Sequence, residues 1–266
     1  MRMTEAVLYE QEDGVVTLTL NDPDTRNALS PDIIDALLSH VDRINADIGV
    51  GCVILTGAGK SFCSGGNVKK IGERAAGLPI PAEVRLGYRH GVQRLPMALY
   101  NLEAPLIAAV NGAAVGVGCD LAAMCDIRLA GTSARFAESF LRVGLVSGDG
   151  GAWFLPRAVG ISKAYEMTFT GDFVNATQAL AIGLVSNVVE DERLLVEARV
   201  LARRIAAQPS HALRLSKRLI RDSQRFDLPA SLEMAASMQA LAQHTSDHQE
   251  ALAALAEKRS PRYTGR

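Results

Sequence analysis

Pro105 to Asp120 reads PLIAAVNGAAVGVGCD, an apolar run that breaks into alternating glycines and ends on an acid. Leu106 to Val110 has the length and unbroken apolarity of a strand buried on both faces, as strands of a parallel sheet are. A second junction of the same kind lies upstream, where Ile54 to Asn67 reads ILTGAGKSFCSGGN. Three short β-type runs, Cys52 to Thr56, Leu106 to Val110 and Ile127 to Ala130, are separated by helical or glycine-rich material. That alternation argues for parallel strands joined by crossovers, hence an α/β fold.

The flanks are consistent with this. Residues 7–20 alternate around Glu12-Asp13-Gly14, with Val16, Leu18 and Leu20 on one face, which predicts a hairpin half-exposed to water. Ser30-Pro31 opens a helix carried by Ile33, Leu37, Val41, Ile44 and Ile48. Beyond Val189 the β signal stops, and Leu194, Ala198, Leu201 and Ile205 begin a run of helices punctuated by Pro209 and Pro229. Gly77 to Pro81, with two prolines ahead of an arginine-rich stretch, is the expected mobile loop over a site.

The chain has 266 residues, 48% of them apolar and 21% charged, which is the composition of an ordinary globular protein rather than a disordered or fibrous one. Lys and Arg number 28 against 29 Asp and Glu, so the cationic surplus of a nucleic-acid binder is missing. Cys52, Cys63, Cys119 and Cys125 form no CxxC pair, and MRMTEAVLYE lacks a basic, apolar leader; a cytoplasmic location is expected. The apolar tract 104–125 contains Asn111 and Asp120 and reads as core, not as a membrane span. His244 and His248 have no obvious third ligand, so no metal is expected. Gly57-Ala58-Gly59-Lys60-Ser61 lacks the first glycine of a phosphate loop, and Gly116-Val117-Gly118 meets Leu121 where a dinucleotide fingerprint needs a third glycine.

What remains is the pair of glycine junctions. Small residues let a ligand approach the backbone, and N–H groups at a helix start have no intrachain partner, so two such turns facing each other form an oxyanion hole. Together with Arg26-Asn27-Ala28-Leu29-Ser30 and Glu257-Lys258-Arg259-Ser260-Pro261, the pair resembles the crotonase family of enoyl-CoA hydratases and isomerases, over nearly the whole chain. The resemblance implies a crotonase-like spiral of ββα units over residues 1–200. It implies a C-terminal helical trimerisation region over 201–266, the trimers often paired into hexamers. The implied ligand is an acyl-CoA thioester, with no cofactor beyond the substrate's own CoA. It puts the oxyanion N–H groups on Ser64 and Val117. The adenine and pantetheine path would run along Arg26, Ala28, Gly65, Gly66, Asn67 and Val68, and Lys258 would reach the CoA phosphates.

The acids depart from the family pattern. Hydratases of this family use two glutamates; here the first position is Asp120 and the second is Phe140, whose ring cannot carry a proton and instead would shape the acyl pocket. Asp120 and Asp149, the latter in Ser147-Gly148-Asp149-Gly150-Gly151, are the candidate acids. Each has a structural alternative: Asp120 in the first turn of a helix, Asp149 as an N-cap. Glu138 reads as a surface residue, while Phe140, Leu145 and Trp153 are the apolar neighbours expected to bury a catalytic acid. The reaction expected is hydration of an enoyl-CoA. Δ3-Δ2 isomerisation, CoA-thioester hydrolysis and acyl-CoA binding without turnover are the alternatives.

Overall fold

A computed structural model describes residues 5–67, 72–73, 76–77 and 80–266. Val68 and the Leu78-Pro79 part of the expected loop lie outside the described residues. Two sheets organise the chain. The larger begins with the hairpin β1 (Val7–Glu12) and β2 (Val15–Leu20) and continues through β3 (Cys52–Gly57), β5 (Leu106–Val110), β7 (Ile127–Gly131) and β10 (Asn187–Val189), in that spatial order. The smaller contains β4 (Ser61–Cys63), β6 (Ala113–Val115), β8 (Arg135–Ala137) and β9 (Val174–Asn175). From β2 to β10 every pairing in the large sheet is parallel. From β3 to β8 the chain therefore alternates between the sheets, one strand in the first and the next in the second, and winds as a spiral.

The hairpin turns through Asp13 and Gly14, both at positive φ (50° and 74°), which right-twisted strands joined by a two-residue loop require. β2 differs from expectation. It is an inner strand paired with β3, and Val15 and Thr17 are buried as well as Val16, Leu18 and Leu20. The face expected to meet water is covered by a C-terminal helix, Leu194–Ala206.

Helix α1 (Pro31–Ala46) starts as its sequence demands, with Ser30 Oγ accepting from the Ile33 N–H at 3.3 Å and Pro31 in the first turn. Ile33, Leu37, Val41 and Ile44 are buried against the sheet, but Ile48 falls beyond the helix and is exposed. Downstream come α2 (Pro81–His90), α3 (Arg94–Tyr100), α4 (Val117–Met124), α5 (Gly151–Val159), α6 (Ile161–Thr170) and α7 (Ala176–Ala181). α4 is buried on every side, from Val117 to Met124.

The last helices are α8 (Leu194–Ala206), α9 (Ser210–Ser223), α10 (Leu228–Gln243) and α11 (Ser246–Glu257). A division at residue 200 would cut α8, whose Leu194, Ala198 and Ala202 pack with Val15, Ile54, Ile107 and Leu129 of the sheet. The helical extension begins at Ser210. It is held to the core by cations: Arg214 donates to the carbonyls of Asp47 and Val50, Lys217 to that of Ala104, and Arg221 to that of Tyr100. No helix of the described residues is long and apolar enough to cross a membrane, and no group of three metal-type ligands occurs among them.

Candidate active site

The two glycine turns meet where the small sheet ends. β4 runs parallel to β6, with Cys63 opposite Ala114, so both strands deliver the chain to the same edge. There the backbones touch. A methyl group on Gly118 would collide with the Cys63 carbonyl, and one on Gly65 would lie 2.6 Å from the Val115 carbonyl oxygen. Gly65 (φ 97°) and Gly116 (φ 54°) also occupy conformations that side chains disfavour.

Val117 is the first residue of α4, a position whose N–H has no acceptor inside a helix, and none is found for it among the described residues. Ser64, expected to supply the facing donor, does not. Its N–H is bonded to the Arg26 carbonyl at 3.0 Å, and its hydroxyl to the Thr25 carbonyl at 3.0 Å. The cause lies upstream, where Arg26 and Asn27 are both left-handed (φ 59° and 56°) and turn the Arg26 carbonyl toward β4. The fully buried Asn27 side chain locks that bend, donating to the carbonyls of Ala58 and Ser61 and accepting from the Asp22 N–H. Two residues past Ser64, Gly66 is exposed and its N–H has no acceptor among the described residues. Gly66, expected only to line the ligand path, is thus the free donor that sequence reasoning misplaced. The usable signal was that the amide directly after a strand is still held by a neighbouring segment.

Around this pair, Ala28 is buried and the Leu29 N–H bonds the Gly65 carbonyl at 2.8 Å, while Arg26 is exposed and Asn67 half-buried. Phe140 is half-buried, its ring 3.8 Å from where a Cβ on Gly116 would stand, so it borders the Val117 turn. Lys258 is the left-handed cap of α11 and exposed; no hydrogen bond or ion pair joins its side chain to the turns among the described residues.

The acids form one cluster. Asp120, in the first turn of α4, is wholly buried, and Asp149 is 4% exposed. Ser147 links them, its Oγ lying 2.9 Å from Asp120 Oδ2 and 3.2 Å from Asp149 Oδ1. A side chain on Gly151 would collide with the Asp120 carboxylate, so the Gly150-Gly151 pair is what lets α5 start against it. Asp149 caps nothing: the N-cap of α5 is Gly150, without a side-chain bond.

Glu138 is not a surface residue. It directly follows β8, is 1% exposed and joins the same cluster. Phe136, Ala137 and Glu138 are all buried, so no in-out alternation in the sequence marks Glu138 as an inward acid. Burial pushes the Asp120 carboxyl far above the usual carboxylate range, reinforced by its neighbour Glu138. Burial, with Asp120 adding to it, raises Asp149 to about 9, and burial raises Glu138 as well. Trp153, expected among the apolar neighbours of the acid, is 40% exposed, with the Arg157 guanidinium 3.3 Å over its ring. Asp120 lies in the first turn of the helix that Val117 begins, so the cluster lies beside the glycine turn at Val117.

A cleft of about 530 Å³ opens at Gly148, lined by Val84, Tyr88, Gln93, Leu145 and Val146 along with Arg85 and Arg89. Tyr88 packs on Gly148, where a Cβ would be 2.6 Å from its ring, and Gln93 Nε2 donates to the Gly148 carbonyl at 2.7 Å. The segment bearing Asp149 is thereby fixed against α2 and the residues after it.

A family model described as enoyl-CoA hydratase/isomerase matches residues 10–266. The chain belongs to this family, the crotonases. Its relatives include 1,2-epoxyphenylacetyl-CoA isomerase of Escherichia coli, 35% identical over 264 residues, or 99% of this chain and 100% of that one. Crotonyl-CoA hydratase of Syntrophomonas wolfei is also 35% identical, covering 97% and 98%. Among solved structures, enoyl-CoA hydratase from Bacillus anthracis superposes with a TM-score of 0.91 at 33% identity, over 98% of this chain and all of that one. This crotonase is thus an enzyme-family member along its full described length, with three acids gathered beside its glycine turns.

Proposed function

We propose that this crotonase isomerises enoyl-CoA thioesters, moving a proton from C2 to C4 through a dienolate. The thioester oxygen sits between the N–H groups of Gly66 and Val117, and Asp149 carries the proton. The observation that carries this reading is the junction itself: two peptide N–H groups without acceptors, on turns locked by backbone contact, beside a buried acid cluster. When the C2–H bond breaks, its electron pair flows to the thioester oxygen, and two fixed donors there lower the barrier by about 3 kcal/mol each. The proton rests on Asp149 and then bonds to C4 as the electron pair returns. One acid suffices, which fits a site whose second glutamate position is Phe140.

Asp149 is the substrate-facing acid because its neighbour Gly148 lines the cleft, whereas neither Asp120 nor Glu138 does. The CoA moiety would pass Arg26, Ala28, Gly65, Gly66, Asn67 and Val68, with Lys258 at its phosphates. The acyl chain would extend past Phe140 and Gly148 into the cleft beside Tyr88. Hydration is the second reading, favoured by the relative named crotonyl-CoA hydratase and by a cluster with acids enough to both activate water and protonate C2. Leu228, Leu232, Leu252 and Leu255 stand exposed on α10 and α11, which supports assembly through these helices into a trimer or a pair of trimers.

Incubation with 3-hexenoyl-CoA separates the readings. Isomerisation yields a conjugated thioester of unchanged mass, hydration adds a water, and hydrolysis releases free CoA. Binding without any of these products from 3-hexenoyl-CoA or crotonyl-CoA would overturn the proposal in favour of a non-catalytic acyl-CoA binder.

A further inference from the structure

We infer that Glu138 is the inner end of a buried proton relay, Asp149 to Asp120 to Glu138, that converts Asp149 from acid to base. The inference rests on the enolate reading above and assigns a positioning residue to it. Glu138 is 1% exposed, both its oxygens and Asp120 Oδ1 have no donor when the acids are ionised, and no cation pairs with Glu138 among the described residues. Ionised carboxylates only accept hydrogen bonds, so these orphaned oxygens are satisfied when protons stand between the acids. Asp120 is then within bonding reach of both neighbours, as donor to Glu138 and acceptor from Asp149.

The groups facing Glu138 and its partner Asp120 are Asp149, Ser147 and the thiol of Cys119. Burial opposes charge on all three carboxyls, and the Asp120 hydrogen bond favours charge on Glu138 over Asp120. One proton in each of the two contacts, Asp149 to Asp120 and Asp120 to Glu138, satisfies the facing oxygens and leaves the three carboxyls one negative charge, at the Glu138 end. Two O–H bonds break and two form in the relay. The Asp149 proton passes to Asp120 as the Asp120 proton passes to Glu138, and the charge arrives on Asp149 beside the substrate. A glutamine at 138 would fill the same space and donate to Asp120, yet it could accept no proton; a passive packing role would be served equally by either.

The test is exchange of the C2 hydrogens of butyryl-CoA in D2O, followed by mass spectrometry, since this saturated thioester can be neither hydrated nor isomerised. At pD 7, Glu138→Gln should exchange at least tenfold more slowly than wild type, with its pD profile displaced upward by a unit or more. Glu138→Asp should restore neutral exchange to within tenfold of wild type. Calorimetric affinity for butyryl-CoA should change less than threefold, which separates the relay from a folding defect. Wild-type exchange by Glu138→Gln at neutral pD, or slower exchange with an unmoved profile, would overturn the relay and leave the enolate reading intact. Tight butyryl-CoA binding by wild type without any exchange would remove both.

Discussion

Asn27 shows how one side chain decides which amide can act. At φ 56° it pays a conformational penalty of about 1 kcal/mol, and its amide bridges the bend at Asp22 to the carbonyls of Ala58 and Ser61. Through that bridge the neighbouring Arg26 carbonyl takes the Ser64 N–H and leaves Gly66 as the free donor. Asn27→Ala orphans two carbonyls, one of them fully buried, and should lower unfolding free energy in urea by about 3 kcal/mol. Glycine at 27 would relieve the backbone but restore neither bond, so Asn27→Gly should fall between alanine and wild type. Gly66→Pro tests the donor itself: with the N–H gone, turnover of 3-hexenoyl-CoA should drop about 100-fold or more, whereas Ser64→Ala, whose N–H stays bonded to Arg26, should stay within a few-fold of wild type.

Between elements, the decisive contact is the one that brings the first turn of α4 against the end of β4. Gly118 permits it, because any Cβ there would meet the Cys63 carbonyl. Gly118→Ala must push strand and helix apart by a few tenths of an ångström or more, while both keep their own hydrogen bonds. We expect a folded protein with kcat down about 100-fold, the size of losing one oxyanion donor, and CoA affinity nearly unchanged; equal loss in both would show that the contact serves stability alone. This contact explains what the sequence disclosed and what it withheld. The strands β3, β5 and β7, the cap of α1 and the glycine turns follow from local patterns of apolarity and small residues. Which amide is free depends on Arg26, 38 residues before Ser64, and the inward turn of Glu138 depends on Asp120 and Asp149 on other segments. Pairings across such distances leave no periodicity to read. β2 illustrates the same limit, since its second buried face exists only because α8 returns to cover it.

For the molecule as a whole, the acid cluster is a stability liability that varies with pH. The Asp149 carboxyl ionises near 3.8 in an open chain but only at about 9 in the fold. Between those values the unfolded chain gives up the proton and the native state keeps it, so rising pH favours unfolding by up to about 1.4 kcal/mol per unit for this group. The contribution is fully present below pH 4 and gone above about 9. Asp120 and Glu138, raised by the same burial, act in the same direction. Asp149→Asn cannot ionise in either state, and so lacks this component of the slope while retaining that of the other two acids. Urea melts of both proteins at pH 5 and pH 8 should therefore find the variant gaining stability over wild type as pH rises, by several kcal/mol across the interval. A stability difference that stays constant with pH would mean that Asp149 is ionised in the native state, and that its proton is not held in the cluster at all.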